Sequence, residues 1–150
     1  MPKISFLSIF FLSLFLSSCG FHTPYKSSDI NANIISSENN LFVNALTKRF
    51  NKDSDKSFSI TIGDENKTKQ NSSFNSSGTV ASYTLTLAVN VEIYNRENVL
   101  LIKEELHASS HHSVLSSTQA DKLQIDEAYS NLRNTLIKKL LRRMYRLDED

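Results

Sequence analysis

The chain has 150 residues, 17 basic against 16 acidic side chains, a formal net charge of +1 at pH 7 and one cysteine. That balance gives no global pull toward nucleic acid, and a lone thiol excludes a disulfide framework or a cysteine-rich zinc site. The length suits one domain with a real core.

At the N-terminus, Lys3 precedes an uncharged run from Ile4 to Leu16 that ends in Ser17-Ser18-Cys19. A basic start, a short apolar core and small residues at the cut are the parts of a secretory signal. A retained membrane helix needs roughly 20 apolar residues. This run is shorter and is broken by Ser5, Ser8 and Ser13. Leu16-Ser17-Ser18-Cys19 resembles a bacterial lipobox, which implies an S-diacylglycerol and an N-acyl chain (palmitate, for example) on Cys19. The expected organisation is therefore a signal peptide over 1–18, a lipidated tether over 19–28 and one domain over 29–150. With acyl chains worth ~0.8 kcal/mol per buried methylene, Cys19 anchors the chain without a further membrane segment. Gly20 stands where an Asp commonly retains lipoproteins at the inner membrane, so it suits passage to the outer one.

Within the domain, Ile30, Ala32 and Ile34 alternate with polar residues and predict a short strand. Ser36-Ser37-Glu38 supplies a cap and an acid for a helix from about Asn39 to Phe50, with Leu41, Phe42, Ala45, Leu46 and Phe50 on one face. Phe58-Ser-Ile60-Thr-Ile62 predicts a second strand, ended by Gly63. From Asp64 to Thr79 the residues are polar except Phe74, which predicts a long loop. Tyr83, Leu85, Leu87, Val89, Val91 and Ile93 then mark a long half-buried strand. Asn95-Arg96-Glu97-Asn98 turns the chain into a return strand from about Val99 to Ala108. Leu100, Ile102, Leu106 and Ala108 are expected on its buried face, with Glu104 signalling a bulge or a strand end. Ser109 to Ser117 reads as a loop. Thr118 and Asp121 have capping-box spacing for a helix to about Arg146, striped by Ile125, Tyr129, Leu132, Leu136, Leu140 and Met144. The predicted fold is α+β in the order β-α-β-β-β-α, with two helices on one face of a four-stranded sheet.

Few residues suggest chemistry. His107, His111 and His112 lack cysteine or a recognised acid spacing, so no metal site is expected. The three glycines, Gly20, Gly63 and Gly78, stand alone, which leaves no nucleophile elbow or phosphate loop. Glu104 and Glu105 point to opposite faces of a strand, the wrong placement for shared acid–base work. No catalytic residue is expected. Lys138, Lys139, Arg142, Arg143 and Arg146 suit a helix C-terminus, with a dock for an acidic partner as the functional alternative.

Cys19-Gly20-Phe21-His22 resembles the start of mature lipopolysaccharide-assembly lipoproteins, the LptE family. The likeness continues through Phe74, Ala81-Ser82-Tyr83, Leu85, Val89-Asn90-Val91, Ala128-Tyr129 and Leu136-Ile137-Lys138-Lys139-Leu140. It implies a non-enzymatic outer-membrane lipoprotein, anchored in the inner leaflet and facing the periplasm. Such a protein plugs and helps assemble an LptD-type β-barrel translocon and contacts lipopolysaccharide. Family members can carry cations in the loops before the long strand and the last helix. Here those places hold Asn75, Ser116 and Ser117, so Lys67, Lys69 and Lys122 are the candidate lipopolysaccharide contacts. The alternative is a free-standing periplasmic adaptor that takes peptides or proteins on its sheet edge.

Overall fold

The computed structural model describes residues 30–37 and 40–149. The signal, Cys19 and the tether lie outside the described residues, as does Glu38. The elements are β1 (Asn31–Ser36), α1 (Leu41–Thr47), β2 (Lys56–Ile62), β3 (Asn66–Phe74), β4 (Val80–Tyr94), β5 (Leu100–Ser113) and α2 (Thr118–Glu149). The class is α+β, but the sheet has five strands, not four, in the order β-α-β-β-β-β-α.

β4 organises the sheet. Its odd-numbered residues from Tyr83 to Ile93 are at most 1% exposed, while Thr84, Thr86, Ala88 and Glu92 on the other face are half-buried and Asn90 is exposed. β5 pairs along one edge of β4, from Ser82 to Tyr94. The opposite edge is shared: β2 takes Val91 to Tyr94 and β3 takes Val80 to Ala88, both antiparallel. β1 adds outside β2 in parallel.

β3 replaces the predicted loop. Every one of its side chains is exposed, so the stretch has no buried face to produce alternation. What makes it a strand is the vacant half of the long β4 edge, whose backbone groups need partners. The passage from β2 to β3 is a bulge. Gly63 N–H still bonds Asn90 O at 2.9 Å, then Asn66 pairs with Ala88, so Asp64 and Glu65 together face Val89.

α1 starts later and ends earlier than its pattern suggests. Ser36 remains in β1, opposite Ile62, and Asn40 is the cap. Its Oδ1 accepts from Phe42 N–H at 3.0 Å and Val43 N–H at 3.3 Å, and its amide donates to Gly63 O at 2.9 Å. One side chain thus caps the helix and ties it to the bulge. Phe42 and Leu46 are wholly buried, each stabilising by about 1.5–3 kcal/mol.

β5 runs on to Ser113, which puts all three histidines on a strand. Glu104 keeps register opposite Val91, and the one irregularity lies at Leu101, since Ile93 faces Ile102 and Tyr94 faces Leu100. No bulge accommodates Glu104. Its inward carboxylate is instead paired with Arg143 of α2. Leu100, expected inside, is 47% exposed.

The Thr118–Asp121 capping box does not form. Ser117 caps α2, its Oγ accepting from Ala120 N–H at 3.4 Å and its carbonyl from Asp121 N–H at 2.9 Å. Asp121 is thereby released for other partners. The apolar stripe is as expected: Tyr129, Leu132, Leu136, Leu140 and Met144 are buried in one core with Phe42 and Leu46, and Ile125 packs against it. Both helices therefore cover the apolar side of the sheet. The other side carries short hydroxyl contacts between strands, Thr86 to Ser109 at 2.7 Å and Ser72 to Thr84 at 2.8 Å.

Candidate functional site

The three candidate lysines lie toward one end of the domain, where β3 meets the start of α2. Lys67 and Lys69 are two apart on β3, so they share a face, and that face turns toward α2. Lys67 Nζ lies 5.3 Å from the Tyr129 ring centroid and 3.6 Å from Glu65 Oε2. Lys69 Nζ sits 3.9 Å over the Tyr83 ring and 3.7 Å from Asp121 Oδ2. Each ammonium has an aromatic face beneath it and a carboxylate beside it, and each lysine side chain is 41% exposed. Lys122, in the first turn of α2, is exposed. Lys67 and Lys69 are brought together, and Lys122 follows Asp121, the carboxylate beside Lys69.

The residues that hold this row carried no obvious signal. Tyr83 continues the apolar alternation of β4, yet its hydroxyl donates to Asp121 Oδ1 at 2.9 Å and accepts from Gln124 Nε2 at 3.0 Å. Burial above all, with Asp121 contributing, pushes the Tyr83 hydroxyl above its ordinary value, so it stays a donor. Tyr129 belongs to the helix stripe, but its hydroxyl donates to Thr68 O at 2.9 Å and tacks the outer strand to α2. Glu65, in the bulge, receives a two-pronged ion pair from Arg133. A tyrosine inside an aliphatic row was the one available cue, because a buried phenol needs a hydrogen-bond partner.

Asp121 is the hub. Leu115 N–H donates to its Oδ1 at 3.2 Å. That bond first, then Tyr83 and Lys69, hold its carboxyl below the usual carboxylate range against the opposing effect of burial. A depressed folded value means the stabilisation is complete above the unfolded-state value and is lost as pH falls through the folded one. Asp121→Asn should therefore flatten the acid limb of the stability profile below pH about 4. Urea midpoints measured down a pH series check this, and an unchanged acid slope would contradict it.

The histidines do not converge. His111 and His112 are successive strand residues and point to opposite faces. His111 Nδ1 lies 3.5 Å from Thr84 Oγ1, while His112 bonds Ser110 Oγ at 2.8 Å and stacks on Tyr83 with centroids 6.1 Å apart. Among the described residues, no group of three or more His, Cys, Asp or Glu side chains could hold a metal ion. The basic run of α2 is partly committed as well: Arg143 pairs with Glu104, and Lys139 Nζ donates to His107 O at 2.8 Å. No helix among the described residues is long and apolar enough to cross a membrane.

Several solved bacterial lipoproteins are similar to this chain in fold. The rare lipoprotein B of Shewanella oneidensis matches with a TM-score of 0.68 at 13% identity, over 78% of this chain and 95% of that one. A lipoprotein B from Nitrosomonas europaea matches at 0.62 and 18% identity, over 83% and 90%. A minor lipoprotein of Acinetobacter baumannii matches at 0.52 and 13%, over 80% and 92%. No curated protein matches the sequence. The lipopolysaccharide-assembly family, LptE, matches residues 28–144, and the chain belongs to that family.

Proposed function

We infer that this chain is an outer-membrane lipoprotein that serves as a non-enzymatic plug and assembly subunit of the β-barrel lipopolysaccharide translocon, assisting lipopolysaccharide on its way to the outer leaflet. The observation that carries this reading is the family match, which spans nearly the whole folded domain. In this reading residues 1–18 are removed, Cys19 carries the lipid, 19–28 form the tether and 29–150 the domain facing the periplasm. Affinity purification of the lipidated, tagged protein should recover a large β-barrel in near-equal amount. Recovery of no barrel removes the reading.

Lys67, Lys69 and Lys122 remain the proposed lipopolysaccharide contacts, and the geometry gives them different weights. Lys67 and Lys69 keep exposed N–H donors for a phosphate while resting on tyrosine faces, so reversing their charge also breaks the seam between β3 and α2. Lys122→Glu should weaken lipopolysaccharide binding with no change in Tm, whereas Lys67→Glu with Lys69→Glu should lower both. Measuring both quantities on both variants separates contact from scaffold. Unchanged binding in Lys122→Glu would take that residue off the list.

A second reading is favoured by β5, whose 14 residues pair only with β4 among the described residues. An edge of that length with no second strand on it, engaged at His107 O by Lys139, suits a periplasmic adaptor that adds a partner strand. Depletion distinguishes the two, because only the translocon subunit predicts lipopolysaccharide accumulating short of the surface.

A further inference from the structure

The end of the domain opposite Lys69 carries an apolar tip that the core does not use. Val99, Leu100 and Leu101 are consecutive and are 52%, 47% and 38% exposed. Regular alternation would turn one of them inward, but the extra residue at Leu101 breaks the pattern. The tip is held firmly. Asn95 N–H donates to Val99 O at 3.0 Å, and Asn95 Oδ1 accepts from the Glu97 and Val99 N–H groups, both at 2.9 Å. Asn98 supplies the left-handed turn, with φ 59°.

The chain also enters the domain at this end. Asn31 pairs with Lys56, and the adjoining Ser57 and Phe58 line a groove with Asn95, Arg96 and Glu97 of the hairpin and Leu147 at the end of α2. β1 and β5 are three strand spacings apart, about 14 Å across the sheet. The inference rests on the lipid-anchor reading of Cys19. From there to Ile30 the chain spans at most about 40 Å, so this end cannot leave the bilayer by more than that.

We propose that, on the anchored chain before it joins the barrel, Val99, Leu100 and Leu101 form a membrane-contact tip, settling into the interfacial layer of the phospholipid leaflet that holds the anchor. The domain then stands end-on at the membrane instead of hanging from its tether. Contiguous exposed apolar residues mark a contact surface, and the tether makes lipid its nearest partner. Charges around the tip are mixed: Lys52, Lys56 and Arg96 stand among Asp53, Asp55, Glu97 and Asp148. The contact is therefore apolar in origin and needs no anionic lipid.

The sequence contains no tryptophan, so a single introduced indole reports its own surroundings. The lipidated full chain would be reconstituted in phosphatidylcholine vesicles with and without bromine-labelled acyl chains. Leu100→Trp reports the tip, Val99→Trp serves if that change disturbs folding, and Leu123→Trp reports the far end, where Leu123 is 64% exposed. The expected result is a blue shift and loss of emission by bromine quenching at the tip, with neither at Leu123. An unquenched tip on protein that floats with the vesicles overturns the contact and leaves the anchor standing. Protein that does not float and lacks the acyl mass overturns both. Quenching of both reporters means a domain lying flat, and overturns the end-on placement. A blue shift without quenching that grows with protein density means a second copy covers the tip, which overturns the lipid contact too.

Discussion

Glu65→Ala is expected to lower the unfolding free energy by about 3–5 kcal/mol, the usual cost of removing one partner of a buried ion pair. Glu65 occupies the bulge between β2 and β3, and its side chain is 9% exposed; that of Arg133, its partner on α2, is 12% exposed. Arg133 reaches Glu65 through Nε and Nη2, the latter at 2.9 Å. Without the carboxylate, a nearly buried guanidinium keeps its charge and loses its two acceptors. Total stabilities of about 5–15 kcal/mol make this a large fraction. The loss should be local at first: amide exchange should accelerate across Asn66–Phe74, which directly follows Glu65 and is tied to α2 by the Tyr129 hydroxyl bond to Thr68 O. The double change Glu65→Leu with Arg133→Met should recover most of the stability, because an apolar pair of similar volume owes no desolvation. Urea denaturation of the three variants decides the matter. A shift under about 0.5 kcal/mol in Glu65→Ala would mean that water screens the pair as it does at a surface.

Cys19→Ala should have the largest effect on the protein in the cell and almost none on its fold. The expected result is loss of the chain from the outer-membrane fraction, with an unchanged Tm for the soluble form. The reasoning separates two energies. Lipid attachment follows the methylene count of the acyl chains at ~0.8 kcal/mol each, whereas the domain's stability comes from a core contained in residues 30–144. In the proposed arrangement a three-residue apolar tip cannot replace the acyl chains; it would orient the domain without anchoring it. Outer-membrane fractionation beside thermal unfolding reads both terms, and full retention of Cys19→Ala in the membrane would show that the anchor lies elsewhere.

What was legible in the sequence depends on whether an element's two faces differ. β4 and α2 present contrasting faces, and their buried positions follow the apolar pattern of the sequence almost residue by residue. β3 has no such contrast, because it is exposed throughout, so a polar stretch that forms a strand looked the same as a loop. A cue existed in the length of β4: a strand that long had only β2 to pair with beside the hairpin partner, leaving half of one edge bare. The start of α1 is ambiguous in the sequence because Ser36 can serve either as a cap or as the last strand residue, and pairing with Ile62 decides it. At the candidate site the lysines were visible as cations, but their fixing partners were not. Tyr83 and Tyr129 each serve the core with a ring and the seam with a hydroxyl, and only the second function depends on which element lies opposite.

β4 and α2 run side by side for the length of the domain, Tyr83 meeting Asp121 near their starts and Glu104, opposite Val91 of β4, meeting Arg143 near their ends. Fifteen strand residues and 32 helical ones give nearly equal spans, about 46 Å and 47 Å. Their agreement makes the domain a gauge of fixed height. One residue added to β4 would send every later side chain to the wrong face, and one added to α2 would rotate its stripe by about 100°. Lengthening that preserves the packing needs two residues in the strand, about 6.6 Å, matched by about four in the helix. Surface residues can drift freely, but the distance between the Val99–Leu101 end and the Lys69 end can change only in such paired steps.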